Sequence, residues 1–278
     1  MKIKNALYHE PIRKLFLDTF IKRRISNRII GKFADSRASA SVIKEFEKIY
    51  HINRSLFEKP YNDGFHTLNE FFTREYLSEV ITKAFPKNPN GSLLSPAEGF
   101  LSIQTNINPV SIVQAKGFTY SLDEFLGEGA EKYDHGTMMR IRLTPREYHH
   151  VHYIDNGIIT MFRNINGSYY TSDYPAISRI KKVYCKSHRH ITEIKTENFG
   201  TIAYAEIGAT FVGTIIQNNE FGDFVQYGDK KSRFKFGGST LILLFEKGRL
   251  NLDKRLDELV NNDREIYAGL GEVLGRRL

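Results

Sequence analysis

Ser232-Arg233-Phe234-Lys235-Phe236-Gly237-Gly238-Ser239-Thr240-Leu241-Ile242-Leu243-Leu244-Phe245 is the stretch from which the fold is read. Its alternating run, Ser232 to Phe236, and its apolar run, Leu241 to Phe245, predict strands, and the small residues Gly237-Gly238-Ser239-Thr240 separate them. A tetrapeptide of this composition ordinarily makes a turn. A second reading is chemical. A serine hydroxyl that follows a glycine can attack the preceding carbonyl when the backbone is strained and a base is near, because glycine neither shields the carbonyl nor restricts the chain. The peptide becomes an ester, loss of the serine α-proton expels the carboxylate, and hydrolysis of the resulting dehydroalanine leaves a pyruvoyl ketone on residue 239. On these residues alone, turn and self-cutting bond both stand.

Further short apolar or alternating runs recur between turn residues, at Phe100 to Ile103, Met138 to Leu143, Thr201 to Ile207 and Phe211 to Ile216. They predict a β-rich second part built as an antiparallel barrel or sandwich. Ahead of it, from Lys4 to about Tyr76, the spacing is helical. Val42, Ile43, Phe46 and Tyr50 share one face, and Thr67 with Glu70 makes a capping box. Lys83 to Gly91 carries the proline, asparagine and glycine of a connector. The fold class expected is therefore α+β, with a helical region over residues 1–80 and a β-rich catalytic core over 90–278. The charged tail from Asp253 to Arg264 predicts a helix, and no tandem repeat or low-complexity tract occurs.

The chain has 278 residues and a formal charge of +8, which suits nucleic acid, an anionic membrane or a soluble basic protein. Position decides among them. Between Met1 and Phe33, nine basic residues face only Glu10 and Asp18, a net +7 that accounts for nearly all the excess. Apolar residues interleave there at helical spacing: Ile12, Leu15, Phe16 and Phe20, then Ile25, Ile29, Ile30 and Phe33. Such a pair of basic amphipathic helices can lie in the headgroup region of an anionic bilayer, or pack on its own domain with a solvated basic face. No apolar run reaches the length of a membrane span, and the first residues lack a secretory hydrophobic stretch. The expectation is peripheral attachment to the cytoplasmic side of the cell membrane, with no nucleic-acid partner. The single cysteine, Cys185, excludes an internal disulfide framework.

A second segment joins the first. Arg142-Leu143-Thr144-Pro145-Arg146-Glu147-Tyr148-His149-His150-Val151-His152 resembles the Pro-Arg-Asp-Tyr-His-Arg-x-His signature of the phosphatidylserine decarboxylase family, pyruvoyl enzymes made by serinolysis. Further similarities run in the family's order. They are Phe71-Phe72-Thr73-Arg74, Ser95-Pro96-Ala97-Glu98-Gly99, Lys116-Gly117 with Tyr120-Ser121-Leu122, Gly208-Ala209-Thr210-Phe211-Val212-Gly213, and finally Gly-Ser-Thr. The resemblance covers nearly the whole chain and implies a compact β-rich core that carries the active site. The activity implied is conversion of phosphatidylserine to phosphatidylethanolamine and carbon dioxide through a Schiff base on the pyruvoyl group of residue 239. It also implies a cut between Gly238 and Ser239 that leaves a β chain of 1–238 and an α chain of 239–278. A homodimer is implied by relatives only.

The resemblance assigns roles residue by residue. His152 is the base for Ser239, Glu98 the carboxylate that orients it, and His149 the proton donor in decarboxylation. Three departures matter. Glu98 stands where the family has Asp, so an added methylene moves the carboxylate, and about 1 Å of displacement in a catalytic constellation costs on the order of a hundredfold. His150 replaces the usual arginine and makes any phosphate contact there pH-dependent, with Lys116 and Arg146 as weaker candidates. Gly237 replaces the usual leucine or phenylalanine of the cut-site motif. Glu147, like Glu98, is a longer carboxylate than the family's Asp. Read without the family, Glu98 is a solvated turn carboxylate and His149 a surface histidine. His150 with His152, and His188 with His190, share strand faces and could ligate metal, although no carboxylate or cysteine pattern completes a tetrahedral set. Two rival functions remain: a pyruvoyl decarboxylase of a soluble amino acid, and an uncut relative that binds acidic lipid.

Overall fold

The computed structural model describes residues 24–59, 64–87, 89–115, 118–170, 179–208, 214–237 and 239–278. Most of the basic amphipathic segment, Lys116-Gly117, Ala209 to Gly213 and Gly238 therefore lie outside the described residues.

Helices come first: α1 (Arg24–Ala34), α2 (Ile43–Tyr50), α3 (Leu68–Phe72) and α4 (Ser78–Ala84). Ile43, Phe46 and Tyr50 turn α2 toward the interior, whereas Val42 belongs to the preceding 3-10 turn and is exposed. The capping box at α3 is complete. The Thr67 side chain accepts the Glu70 N–H, and the Glu70 carboxylate accepts the Thr67 N–H.

Strands follow from Ser92 onward. The first are β1 (Ser92–Leu94), β2 (Gly99–Thr105) and a hairpin of β3 (Ile112–Ala115) with β4 (Phe118–Tyr120). Short helix α5 (Leu122–Leu126) leads to β5 (Thr137–Leu143), β6 (His150–His152) and β7 (Gly157–Ile165). After α6 (Val183–Lys186) come β8 (Arg189–Thr196), β9 (Thr201–Gly208), β10 (Ile215–Gln217), β11 (Phe224–Val225), β12 (Lys230–Phe234) and β13 (Ser239–Phe245). The chain ends with β14 (Leu250–Leu252), β15 (Ile266–Ala268) and β16 (Val273–Arg277).

Eight strands form one antiparallel sheet in the order β11-β7-β8-β9-β13-β5-β2-β15. The expected barrel does not close, because β11 and β15 end the sheet as edges. Two three-stranded sheets, β10-β12-β6 and β1-β16-β14, cover one face. Their Val151, Phe234, Leu93 and Leu274 meet Leu241, Leu243, Phe245 and Ile141 of the large sheet. The opposite face, with Ile242, Leu244, Met138 and Ala205, is covered by Leu122, Phe125, Tyr120 and Tyr184. All seven residues of β13 are buried, which is why Leu241 to Phe245 is a continuous apolar run rather than an alternating one.

Two expectations are corrected. The tetrapeptide does not lie wholly between the strands: Ser239 already begins β13, and β12 belongs to a small sheet while β13 belongs to the large one. The tail makes only a 3-10 turn at Lys254–Leu259, where Leu256 and Leu259 bury at the three-residue spacing that this tighter helix favours. Among the described residues, no helix is long and apolar enough to cross a membrane.

Candidate active site

Register brings the sequence blocks together. Ser239 lies opposite Leu143 of β5 on one side and Gly208 of β9 on the other, and Phe100 of β2 lies opposite Arg142. Neighbouring strands run antiparallel, so the end of β9, the start of β13, the end of β5 and the start of β2 share one end of the sheet. Gly208, Ser239-Thr240, Arg142 to His152 and Ser95 to Gly99 therefore converge there. The glycine at 99 is required by this approach, since a β-carbon would sit 2.6 Å from the Arg142 carbonyl oxygen. Gly237, with φ of 145°, occupies backbone space that side-chain-bearing residues avoid.

Ser239 is completely buried, and its Oγ has no hydrogen-bond partner among the described residues. A buried hydroxyl left unpaired is unfavourable and calls for a reason. Period-two alternation places it on the face of Leu241 and Leu243, toward the small sheet of β6 and β12.

The histidines are held by carbonyls. His149 Nδ1 lies 2.8 Å from the Glu147 oxygen, and His152 Nδ1 lies 2.8 Å from the Gly228 oxygen. A carbonyl only accepts, so both imidazoles carry their proton on Nδ1 and leave an Nε2 lone pair that is buried and without a partner among the described residues. Burial lowers both from the ordinary histidine range, His152 to about 4, so each is a neutral base at neutral pH. His150 shares the strand face of His152. Its Nε2 donates to the Thr73 oxygen at 3.1 Å, its ring stacks on Tyr148, and burial lowers it to about 4. His150 is thus committed inside the protein rather than offered to a phosphate.

Position along β12 separates the two bases. The Phe234 N–H donates to the His149 oxygen, while His152 lies opposite Lys230. The two histidines are three residues apart, about 10 Å of extended chain. Phe72 contacts both the His149 ring, at 3.8 Å between centroids, and the Phe236 ring, at 5.3 Å. His149 is therefore the histidine held against the segment that leads into Ser239.

Glu98 is buried, not a solvated turn carboxylate. It accepts the Tyr76 hydroxyl at 2.6 Å and the Tyr148 N–H at 2.7 Å, and it makes no hydrogen bond to His152, whose orienting partner is Gly228. Burial raises its carboxyl, opposed by those two donors and by Arg74. Burial likewise raises Glu147, whose carboxylate accepts the Thr144 N–H. Arg74 explains the Phe-Phe-x-Arg block. Its guanidinium donates to the carbonyls of Arg146 at 2.5 Å and Glu147 at 3.0 Å and lies over the Phe57 ring, so the block clamps the histidine loop. Ser121 of another block caps α5 by accepting the Glu124 N–H. Cys185 is a free, half-buried thiol pushed up to about 12 by burial.

Sequence reading missed a buried ion pair. Lys231 and Glu206 are both wholly inaccessible. Lys231 Nζ donates to the two Glu206 oxygens at 2.9 Å each and to Gln217 Oε1 at 2.8 Å. Glu206 also accepts from Ser232 Oγ and from Gln217 Nε2. Lys231 points inward because β12 bulges between Lys230 and Ser232, which re-aims one side chain. Glu206 lies opposite Leu241, a diagonal neighbour of Ser239 on the same sheet face. No three His, Cys, Asp or Glu side chains gather as a metal-holding set among the described residues.

Comparison with known proteins places this arrangement. A family profile described as "Phosphatidylserine decarboxylase" matches residues 68–273. A protein of Clostridium novyi (strain NT) named "Phosphatidylserine decarboxylase proenzyme" is 37% identical over 274 residues, covering 98% of this chain and 92% of its own. A protein of the same name from Clostridium perfringens (strain ATCC 13124) is 36% identical over 279 residues, covering 100% and 94%. Another, from Clostridium botulinum (strain Langeland), is 37% identical over 281 residues, covering 99% and 93%. The chain belongs to the phosphatidylserine decarboxylase family of carboxy-lyases.

Proposed function

We propose that this chain is a phosphatidylserine decarboxylase precursor that cuts itself between Gly238 and Ser239 and carries a pyruvoyl group on residue 239. The observation that carries the reading is Ser239 Oγ, buried without a hydrogen-bond partner among the described residues, at the sheet end where the family's sequence blocks meet. A hydroxyl with no competing partner, fixed by ladders on both sides and preceded by glycines, fits the origin of such a group. Ser239 Oγ adds to the Gly238 carbonyl carbon while an imidazole Nε2 takes its proton; the C–N bond breaks and leaves an ester and a free amine. Elimination expels the Gly238 carboxylate, and hydrolysis releases ammonia and leaves the ketone on residue 239. That ketone supplies an electron sink for loss of the substrate carboxylate.

By resemblance to the family, His152 is assigned the Ser239 proton and His149 the return of a proton to the substrate carbon once carbon dioxide has left; the ring contacts instead hold His149 against the segment that leads into Ser239, and the His149→Ala test below decides between the two. Glu98 fixes the loop between them through the Tyr148 N–H. Peripheral attachment to an anionic membrane is part of the same proposal. Ile29, Phe33, Val42 and Ile49 are exposed, and Lys32, Lys44 and Lys48 accompany them.

Intact mass of the purified protein, with and without Ser239→Ala, tests the cut. The unmodified chain should give two pieces, the smaller running from residue 239 to Leu278 with a blocked amino terminus, and Ser239→Ala should give one. A single uncut chain from both refutes the proposal. Carbon dioxide release from phosphatidylserine, and not from free amino acids, identifies the substrate. His149→Ala should cut yet fail to decarboxylate; loss of cutting would move the base assignment to His149.

A further inference from the structure

We infer that Asn69 is a positioning residue for the self-cut, holding the chain on the upstream side of the scissile bond; this rests on the reading of Ser239 given above. The reaction needs the Gly238 carbonyl carbon held over Ser239 Oγ, so both flanks of a two-residue glycine span must be fixed. Downstream, Ser239 is fixed by its pairing with Leu143 and Gly208. Upstream, β12 ends at Phe234, and two further N–H groups tie the chain before Gly237. Lys235 N–H donates to the Thr214 oxygen at 3.1 Å, and Phe236 N–H donates to Asn69 Oδ1 at 2.7 Å. Asn69 is thus the last anchor before the glycines.

The anchor is built, not incidental. Asn69 is 4% exposed, and its other amide atom, Nδ2, donates to Asp35 Oδ1 at 2.8 Å. Asp35 in turn takes Lys235 Nζ at 3.1 and 3.2 Å, so the same carboxylate grips both Asn69 and the residue preceding Phe236. Asn69 sits in α3, whose start is locked by the capping box and whose end is tied by Thr73 N and Oγ1 donating to the Asn69 oxygen at 2.9 and 2.8 Å. The Phe236 ring is held by Phe72 at 5.3 Å and Phe46 at 6.0 Å, both from the helical region. Position 69 must accept from a backbone N–H and donate to a carboxylate at once. An amide does both from two separate atoms, whereas aspartate cannot donate, leucine does neither, and a threonine hydroxyl has a single oxygen for both tasks. Asp35 directly follows α1, so the grip on the cut site reaches back to the first described helix.

The test follows cleavage in cell-free translation of the full chain, sampled over time, for the unmodified chain, Ser239→Ala, Asn69→Ala, Asn69→Asp, and the reciprocal exchange Asp35→Asn with Asn69→Asp. Loss of the anchor lets the carbonyl drift, so Asn69→Ala and Asn69→Asp should slow cutting by about tenfold or more. The exchange restores one donor and one acceptor across the same gap and should bring the rate back to within about threefold of the unmodified chain. Melting temperatures measured on each variant combined with Ser239→Ala separate folding from positioning. If Asn69→Ala does not fold, the comparison of Asn69→Asp with the exchange decides. Cutting by Asn69→Ala at the unmodified rate overturns the inference, and so does an exchange no faster than Asn69→Asp. An unmodified chain that never cuts overturns the reading of Ser239, and this inference with it.

Discussion

Removing one half of the Lys231–Glu206 pair should be far more damaging than removing both. Lys231 uses all three ammonium protons on Glu206 and Gln217, and neither charge reaches water. Lys231→Met leaves the Glu206 carboxylate with only its two neutral donors, Ser232 and Gln217, in a site with no solvent. Stranding a buried charge in this way costs about 3–5 kcal/mol, whereas replacing a buried pair by uncharged side chains of similar volume is often neutral. Lys231→Met combined with Glu206→Gln should therefore lie within about 2 kcal/mol of the parent. Guanidinium unfolding in a Ser239→Ala background, where the chain stays in one piece, gives these differences directly. Glu206→Gln alone adds a pH signature. Burial already lowers the Lys231 ammonium, and without its counter-charge the folded state binds fewer protons than the unfolded one. Stability should then rise with pH, at up to about 1.4 kcal/mol per unit, until the unfolded lysine titrates near 10.4. A Lys231→Met variant within about 1 kcal/mol of the parent, or a double variant no better than the single, would refute the reasoning.

Four other outcomes are expected. Because His150 and His152 are lowered to about 4, the folded protein should lose stability as pH falls from about 6.5 toward 4, where the unfolded histidines take protons that the folded ones refuse; unfolding midpoints across that range measure it. The rate of cutting should be level between about pH 6 and 8, without a histidine-like inflection near 6.5, since the base is already neutral there. Tyr76→Phe removes a donor from buried Glu98 and should cost about 1–3 kcal/mol and raise the Glu98 carboxyl further, read by unfolding and by the pH dependence of cutting. Thr67→Ala breaks the capping box and should cost about 1 kcal/mol in the Ser239→Ala background.

What could be read from the chain beforehand was local. The Thr67–Glu70 capping box depends on residues three apart, and β13 announces itself because a strand covered on both faces must be apolar throughout. What stayed hidden depends on distant partners. Glu98 meets Tyr148, 50 residues away, and so looks in sequence like a turn carboxylate or a partner of His152. Lys231 turns inward only because β12 bulges against β6, an irregularity that alternation cannot encode. The open sheet was hidden too, since short alternating runs suit a closed barrel and a layered sheet equally. Gly228 and Thr73 act through carbonyl oxygens, which no side-chain pattern reveals.

The placement of β13 sets what a severed molecule would be. Its seven residues each find a partner in both β5 and β9, so the shorter piece would be a central stave, with its new amino terminus clamped between two neighbours. Parting the pieces would mean unzipping both seams and wetting both layers at once, which is global unfolding. The two polypeptides should thus have no dissociation equilibrium separate from denaturation. A folded long piece could not later accept a short one supplied in trans; the halves would have to fold together.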